Sequence, residues 1–304
     1  MDFKTALRGM LGPIVLDGNS FVRRLVKRAL GNLLADQYGY AVVRVIWGPA
    51  GGARLYLNLQ SEAQYALGIY DHPEIKLISQ WLDPGMTTYD CGAFIGYYTA
   101  ILASLVGTTG RVITLEPDPV NHARVQKQIN LNNWHQVSLL NLALGPGHSI
   151  VKFAANTGAT SHIMGTYRGY DGRVIVEDDQ NIESSTIEIS CVNLDELVFE
   201  MGYPKPDFVK IDVEGAEHYV LSSSHRTGME IRPIILLELH NPEGEKAAER
   251  WLATYEYIAI DVHSGNRVST AEEFHKAGNY EQCTLFMLPR EKLTNSHNER
   301  RQGL

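Results

Sequence analysis

Hydrophobic and polar positions change their period several times along the chain, and each change marks an element. Between residues 19 and 36, Val22, Val26, Ala29 and Leu33 recur at helical spacing behind Asn19 and Ser20, either of which can cap a helix. Arg23, Arg24, Lys27 and Arg28 occupy the intervening positions, so the expected helix packs on its own domain with a solvated basic face. The runs "YAVVRVIW" and "ARLYLNLQ" flank "GPAGG". Leu55, Leu57 and Leu59 alternate with more polar neighbours there, which predicts a β-hairpin. Together these segments form an expected helix-and-hairpin appendage over residues 1–80.

From about Ser79 the texture becomes strand–helix alternation, the pattern of a parallel sheet with crossover helices. Thr87–Cys91 reads as the first strand, followed by a helix from about Ile95 to Leu105. "RVITLE" is the second strand, and Asp118-Pro119 supplies an N-cap and first helical residue for a helix running towards Asn132. "VSLLNLAL" is expected as a single third strand. "DFVKIDV" and "PIILLELH" continue as fourth and fifth, with helices near Gly215 and over Glu245–Thr254. "YIAIDV" and "CTLFMLP" suit a closing antiparallel pair. Residues 149–192 interrupt this order with "SIVKFAAN", "GRVIVED" and "STIEISC", an excursion long enough to carry acceptor recognition through His162, Tyr167, Arg168 and Tyr170 or to be a solvent-facing loop. Residues 81–292 are the expected main domain, and 293–304 a polar tail.

Composition narrows the function classes. A formal charge of −8 argues against a nucleic-acid surface as the main business. Cys91, Cys191 and Cys283 have no zinc or CxxC spacing, and their odd number suits a reducing compartment. No apolar run is long enough for membrane insertion, and the first twenty residues lack the core of a signal peptide. A cytoplasmic protein is the expectation.

The chemistry-bearing residues gather where the strands end. Asp90 follows the first strand, Glu116 ends the second, Asp212 and Glu214 end the fourth, and Glu238 and His240 end the fifth. Ligands of open parallel sheets bind outside those carboxyl ends. Gly92 and Gly96 permit a tight turn with close backbone approach. The order D-x-G-x-x-x-G is not the dinucleotide G-x-G-x-x-G, and a pyrophosphate gains nothing from an acid beside the turn. S-adenosylmethionine, with its sulfonium, its ammonium and a ribose diol, suits Asp90 at the cationic end and Glu116 at the diol.

The blocks "YDCGAFIGYYT", "VITLEPDP", "FVKIDVEGAE" and "RPIILLELH", in this order, resemble the FkbM family of S-adenosylmethionine-dependent methyltransferases over roughly Trp81–Pro289. The resemblance implies an α/β class I methyltransferase fold, Rossmann-like, with a seven-stranded, mostly parallel sheet and helices on both faces. It implies a cofactor motif at Asp90, Gly92 and Gly96, a ribose clamp at Glu116, and Asp212 beside the methionine part or the transferred methyl. It also implies O-methylation of a hydroxyl on a small natural product or sugar-containing acceptor. N-methylation, an NAD-dependent oxidoreductase and a non-catalytic scaffold stand as alternatives. Phe94 departs from the family, which often has Asn there.

His240 is the expected general base, oriented by Glu238 two residues earlier on the same strand face, with Asp212 as the alternative base. Lys210 is expected to pair with an acid rather than act as a neutral base. Of Tyr97 and Tyr98, one can line the site while the other packs in the core. Glu214 and Glu217 complement the dipole of the following helix, so the acids are expected to hold no metal. The appendage is expected either to cover the acceptor site or to form a homodimer contact.

Overall fold

The computed structural model describes residues 39–155, 161–164, 186–277 and 283–294. The helix expected over 19–36, the run "GRVIVED", and Tyr167, Arg168 and Tyr170 lie outside them. The chain divides into two compact units between Tyr70 and Asp71. The boundary falls ten residues before the expected one because helix His72–Trp81 buries Leu77, Ile78 and Trp81 within the larger unit.

In the smaller unit, β1 (Tyr40–Arg44) and β2 (Arg54–Asn58) form the expected antiparallel hairpin, with Leu55 and Leu57 wholly buried. A short helix, α1 (Ala63–Leu67), follows.

The larger unit begins with α2 (His72–Trp81) and then alternates. Its elements are β3 (Thr87–Cys91), α3 (Tyr97–Val106), β4 (Arg111–Leu115), α4 (Pro119–Asn132) and β5 (Val137–Leu140). Asp118 caps α4 as expected, its carboxylate accepting from the amides of Val120 (2.8 Å) and Asn121 (3.2 Å). The run "VSLLNLAL" is two strands, because Asn141 leaves the ladder and its Nδ2 donates to the carbonyls of Glu116 and Pro117. The second piece, β6 (Ala143–Leu144), joins β7 (Ser149–Ala154), β8 (His162–Ile163) and β9 (Thr186–Val192) in a separate sheet of order β6-β9-β7-β8.

The main sheet resumes with β10 (Phe208–Ile211), α5 (Glu217–Ser223), β11 (Ile234–Leu239), α6 (Pro242–Tyr255) and β12 (Tyr257–Asp261). It is completed by β13 (Arg267–Val268), α7 (Ala271–Ala277), β14 (Cys283–Pro289) and α8 (Arg290–Thr294). The order is β13-β12-β14-β11-β10-β3-β4-β5. Five strands, β11-β10-β3-β4-β5, run parallel, and β14 is antiparallel to both β11 and β12. The seven expected strands are present, and the two-residue β13 adds an eighth at the edge. The expected tail starts too early, since Leu293 lies in α8 and packs against the core.

Strand periodicity builds two cores. Val209, Ile211, Ile235 and Leu237 face one cluster with Val220 of α5 and Trp251 of α6. Their neighbours Phe208, Ile234 and Leu236 face the other, with Ile78 of α2, Leu102 of α3 and Val125 of α4. Helices therefore cover both faces, and polar function is left to the carboxyl edge.

Candidate active site

The turn after β3 is shaped by its backbone. Gly92 (φ 83°) and Gly96 (φ 78°) are left-handed, and so is Phe94 (φ 50°) between them. A side chain on Gly92 has no room against the carbonyl of Asp212, just past β10. Gly96 opens α3 tight against α4, where a Cβ would meet Val125 and Gln128 at 3.2 Å.

Glu116 sits at the end of β4 and lines a cleft together with Gly92, Phe94, Asn121, Asp212 and Glu214. Phe94 N–H donates to its Oε2 (2.6 Å) and Asp118 N–H to its Oε1 (2.9 Å). Burial nevertheless pushes this carboxyl up to about 8. The small sheet also reaches the cleft, through Phe153, Ser161 and Ile163, and Ser161 Oγ donates to Asp118 Oδ2 at 3.0 Å.

Asp90 does not line the cleft. It is wholly buried on β3, its Oδ2 accepts from Thr99 Oγ1 (2.6 Å), and its Oδ1 has no hydrogen-bond partner. Burial raises its pKa against the pull of Lys210.

Lys210, on β10, is buried and donates to Asp212 Oδ2 at 2.8 Å, the acid pairing the sequence suggested. Its ammonium also lies 4.6 Å from the centre of the Tyr98 ring. Burial opposes its charge, but Asp212, Asp90 and Glu238 outweigh that and keep it cationic. Tyr98 donates its hydroxyl to Asp71 Oδ2 (2.9 Å), and Asp71 rises to about 7 through burial and then Glu74. Tyr97 is buried, yet neither tyrosine lines the cleft. For Asp212, burial works upward, but Lys210 and then His240 hold the carboxyl below its ordinary range.

His240 follows β11 with 8% of its side chain exposed. Its Nδ1 lies 2.9 Å from Glu217 Oε1, and its Nε2 faces Glu214 Oε2 (3.6 Å), Glu238 Oε1 (3.7 Å) and Asp212 Oδ1 (3.8 Å). One expectation changes here. The carboxylate on Nδ1 is Glu217, brought under the ring by the first turn of α5, and not Glu238. Burial would lower the imidazole, but Glu217, Glu214 and Asp212 raise it well above its ordinary value. Burial pushes Glu238 well up, followed by the charge on Asp212, and it lifts Glu214 to about 8.

Glu214 was expected at the carboxyl end of the fourth strand and at the helix dipole, with no catalytic or cofactor role. It lines the cleft on a left-handed backbone (φ 52°), an uncommon conformation for a non-glycine residue and one often found at functional sites. Nothing in the sequence marks it apart from its place two residues after Asp212.

A model of the methyltransferase FkbM domain matches residues 90–276, more than half of the 304-residue chain. The chain belongs to the FkbM methyltransferase family. S-adenosylmethionine is accordingly its cofactor, and the sheet order is that of the class I methyltransferase fold the sequence pointed to. Among solved structures, methyltransferase FkbM from Methylobacillus flagellatus KT is 17% identical with a TM-score of 0.40. That match covers 87% of this chain but only 59% of the other. A methyltransferase homologue from Pyrococcus horikoshii is 12% identical at a TM-score of 0.42, covering 90% of this chain and 83% of that one. Aeropyrum pernix fibrillarin, solved with natively bound S-adenosyl-L-methionine, is 9% identical at a TM-score of 0.36, covering 68% and 67%. These likenesses are distant, and membership of the family rests on the domain match. No curated protein matches the chain. Among the described residues no helix is long and apolar enough to cross a membrane.

Proposed function

We propose that the FkbM-family chain methylates a hydroxyl group on a small natural product or sugar-containing acceptor. The observation that carries this reading is the pair of carboxylates, Asp212 and Glu214, that line the cleft together with Gly92 and Phe94 of the turn. A neutral hydroxyl must lose its proton on methylation, whereas a neutral amine does not need that help.

The residues suit the methyl donor. Gly92 leaves bare backbone at the turn, and Glu116 keeps a further lone pair on each oxygen for a ribose diol. Asp90 Oδ1 is a buried acceptor without a partner, behind the turn that would meet the cationic amino-acid end. When bound, S-adenosylmethionine supplies an electrophilic sulfonium methyl. The chain would hold the acceptor oxygen towards that methyl, exclude water with Phe153 and Ile163, and take the hydroxyl proton on the ionised form of Glu214, whose lift to about 8 makes that carboxylate a stronger base than an ordinary one. Asp212 stays fixed by Lys210 and bounds the site on the β10 side.

The test is incubation with methyl-labelled S-adenosylmethionine and a panel of polyols, glycosides and amines, with products read by NMR. Label on oxygen is the expected result. Label confined to nitrogen would replace this reading with N-methylation.

A further inference from the structure

We propose that Asp212, Glu238 and His240 form a binding site for one divalent cation of the Mg²⁺ or Mn²⁺ type. The expectation from sequence was that these acids hold no metal, since helix-dipole complementarity explained Glu214 and Glu217. The geometry at His240 changes that balance.

Adjacent parallel strands bring the three residues together. Ile211, which ends β10, registers with Leu237 of β11, so Asp212 lies beside Glu238 and His240. One ligand atom from each lies within 4.8 Å of the others. The His240 ring is fixed from behind, with Nδ1 on the carboxylate of Glu217, which is itself fully buried. A carboxylate behind a histidine in this way sets the tautomer that leaves Nε2 free to ligate.

That Nε2, on a side chain 8% exposed, is aimed at oxygen, yet it lies 3.6–3.8 Å from Glu214, Glu238 and Asp212, beyond hydrogen-bond distance. A proton there would face three carboxylates and reach none of them. Metal–ligand bonds of about 2.0–2.2 Å place neighbouring and opposite ligands about 2.9–4.4 Å apart, which brackets the observed gaps. Asp212 Oδ2 is committed to Lys210, which leaves Oδ1, the atom facing His240, for the ion. Two carboxylate oxygens and one imidazole, with no thiolate, select hard or borderline cations.

Three protein ligands leave positions on a six-coordinate ion for water or an acceptor oxygen. That the ion also holds the acceptor rests on the methyltransferase reading. Binding of the ion does not.

The test uses the full chain stripped with a chelator and titrated with Mn²⁺ near neutral pH, free Mn²⁺ being read by its paramagnetic resonance. S-adenosylhomocysteine is titrated in parallel by calorimetry. One Mn²⁺ per chain, displaced by Mg²⁺, is expected. Glu238→Gln and His240→Gln each weaken it roughly tenfold or more, while Glu230→Gln, an exposed partner of Arg226 outside the cluster, leaves it unchanged. Thermal unfolding checks that each variant is folded, and the wild-type stoichiometry stands without them. S-adenosylhomocysteine binding with no saturable Mn²⁺ would overturn the cation site and leave the donor reading intact. Mn²⁺ binding indifferent to both Glu238→Gln and His240→Gln would overturn it as well. Mn²⁺ bound at one site without S-adenosylhomocysteine would uphold the cation site and count against the donor.

Discussion

A Cβ built on Gly92 would lie 1.8 Å from the carbonyl oxygen of Asp212. The turn after β3 and the end of β10 therefore touch backbone to backbone, and both residues line the cleft. Gly92→Ala is expected to cost about 2–5 kcal/mol, combining left-handed backbone with overpacking. Gly202 also has positive φ (77°) but nothing within 4 Å, so Gly202→Ala should cost only the backbone share, about 1–2 kcal/mol. Urea unfolding of both variants measures the difference, and equal losses would deny the close approach.

Phe94 stands left-handed at the centre of the same turn. Phe94→Gly is expected to be more stable than Phe94→Ala by about 1 kcal/mol, although glycine removes more from the side chain. Both variants lose the ring, so the comparison isolates the backbone. Denaturation midpoints that rank alanine first would contradict the strained conformation.

Burial, despite two amide donors, raises Glu116 to about 8 from an ordinary 4.5. The folded state thus binds its proton more tightly than the unfolded chain. The associated stability is present in full below about 4.5 and is lost as pH climbs towards 8. Asp71, raised to about 7, titrates in the same window, so the informative quantity is the difference between wild type and Glu116→Gln. Melting temperatures across this range should fall less steeply with pH in the variant. Parallel slopes would mean that Glu116 titrates normally.

Asn241 caps α6, its Oδ1 accepting from Gly244 N–H and its Nδ2 donating to the carbonyl of Gly215, both at 2.8 Å. Asn241→Ala removes a cap and the shorter hydrogen bond to the carbonyl next to Glu214, leaving His218 Nδ1 at 3.3 Å. A loss of about 1–3 kcal/mol is expected in chemical denaturation.

Glu214→Gln removes the proposed proton acceptor while keeping the side chain's size. Turnover on a hydroxyl acceptor is expected to fall about 10²–10⁴-fold, with S-adenosylhomocysteine affinity unchanged in calorimetry. Undiminished turnover where chemistry limits the rate would remove Glu214 from the mechanism.

Much of the fold was legible because local signals and global architecture agree. Thr87–Cys91 is bounded by Gly92, and α4 announces itself through Asp118-Pro119. The division of "VSLLNLAL" was hidden, since its apolar alternation continues through Asn141 while the break is made by that side chain bonding to residues 24 and 25 positions earlier. The hairpin of the smaller unit was readable from Leu55 and Leu57, whereas α2 follows a left-handed Asp71 that composition does not betray. At the site, strand ends located Glu116, Asp212, Glu238 and His240. The partner of His240 is a different matter. Glu217 lies 23 residues away, and only the packing of α5 beside β11 puts it on Nδ1.

The strand β14 lies between β11 and β12 although it comes after both in the sequence. During synthesis, β11 can pair with β10 while its other edge stays open, until Cys283–Pro289 has left the ribosome. Glu238 pairs across that late ladder with Thr284. The acid cluster at the end of β11 is therefore among the last parts of the sheet to be framed on both sides, and a nascent chain would expose its sticky edge just where its chemistry is later concentrated.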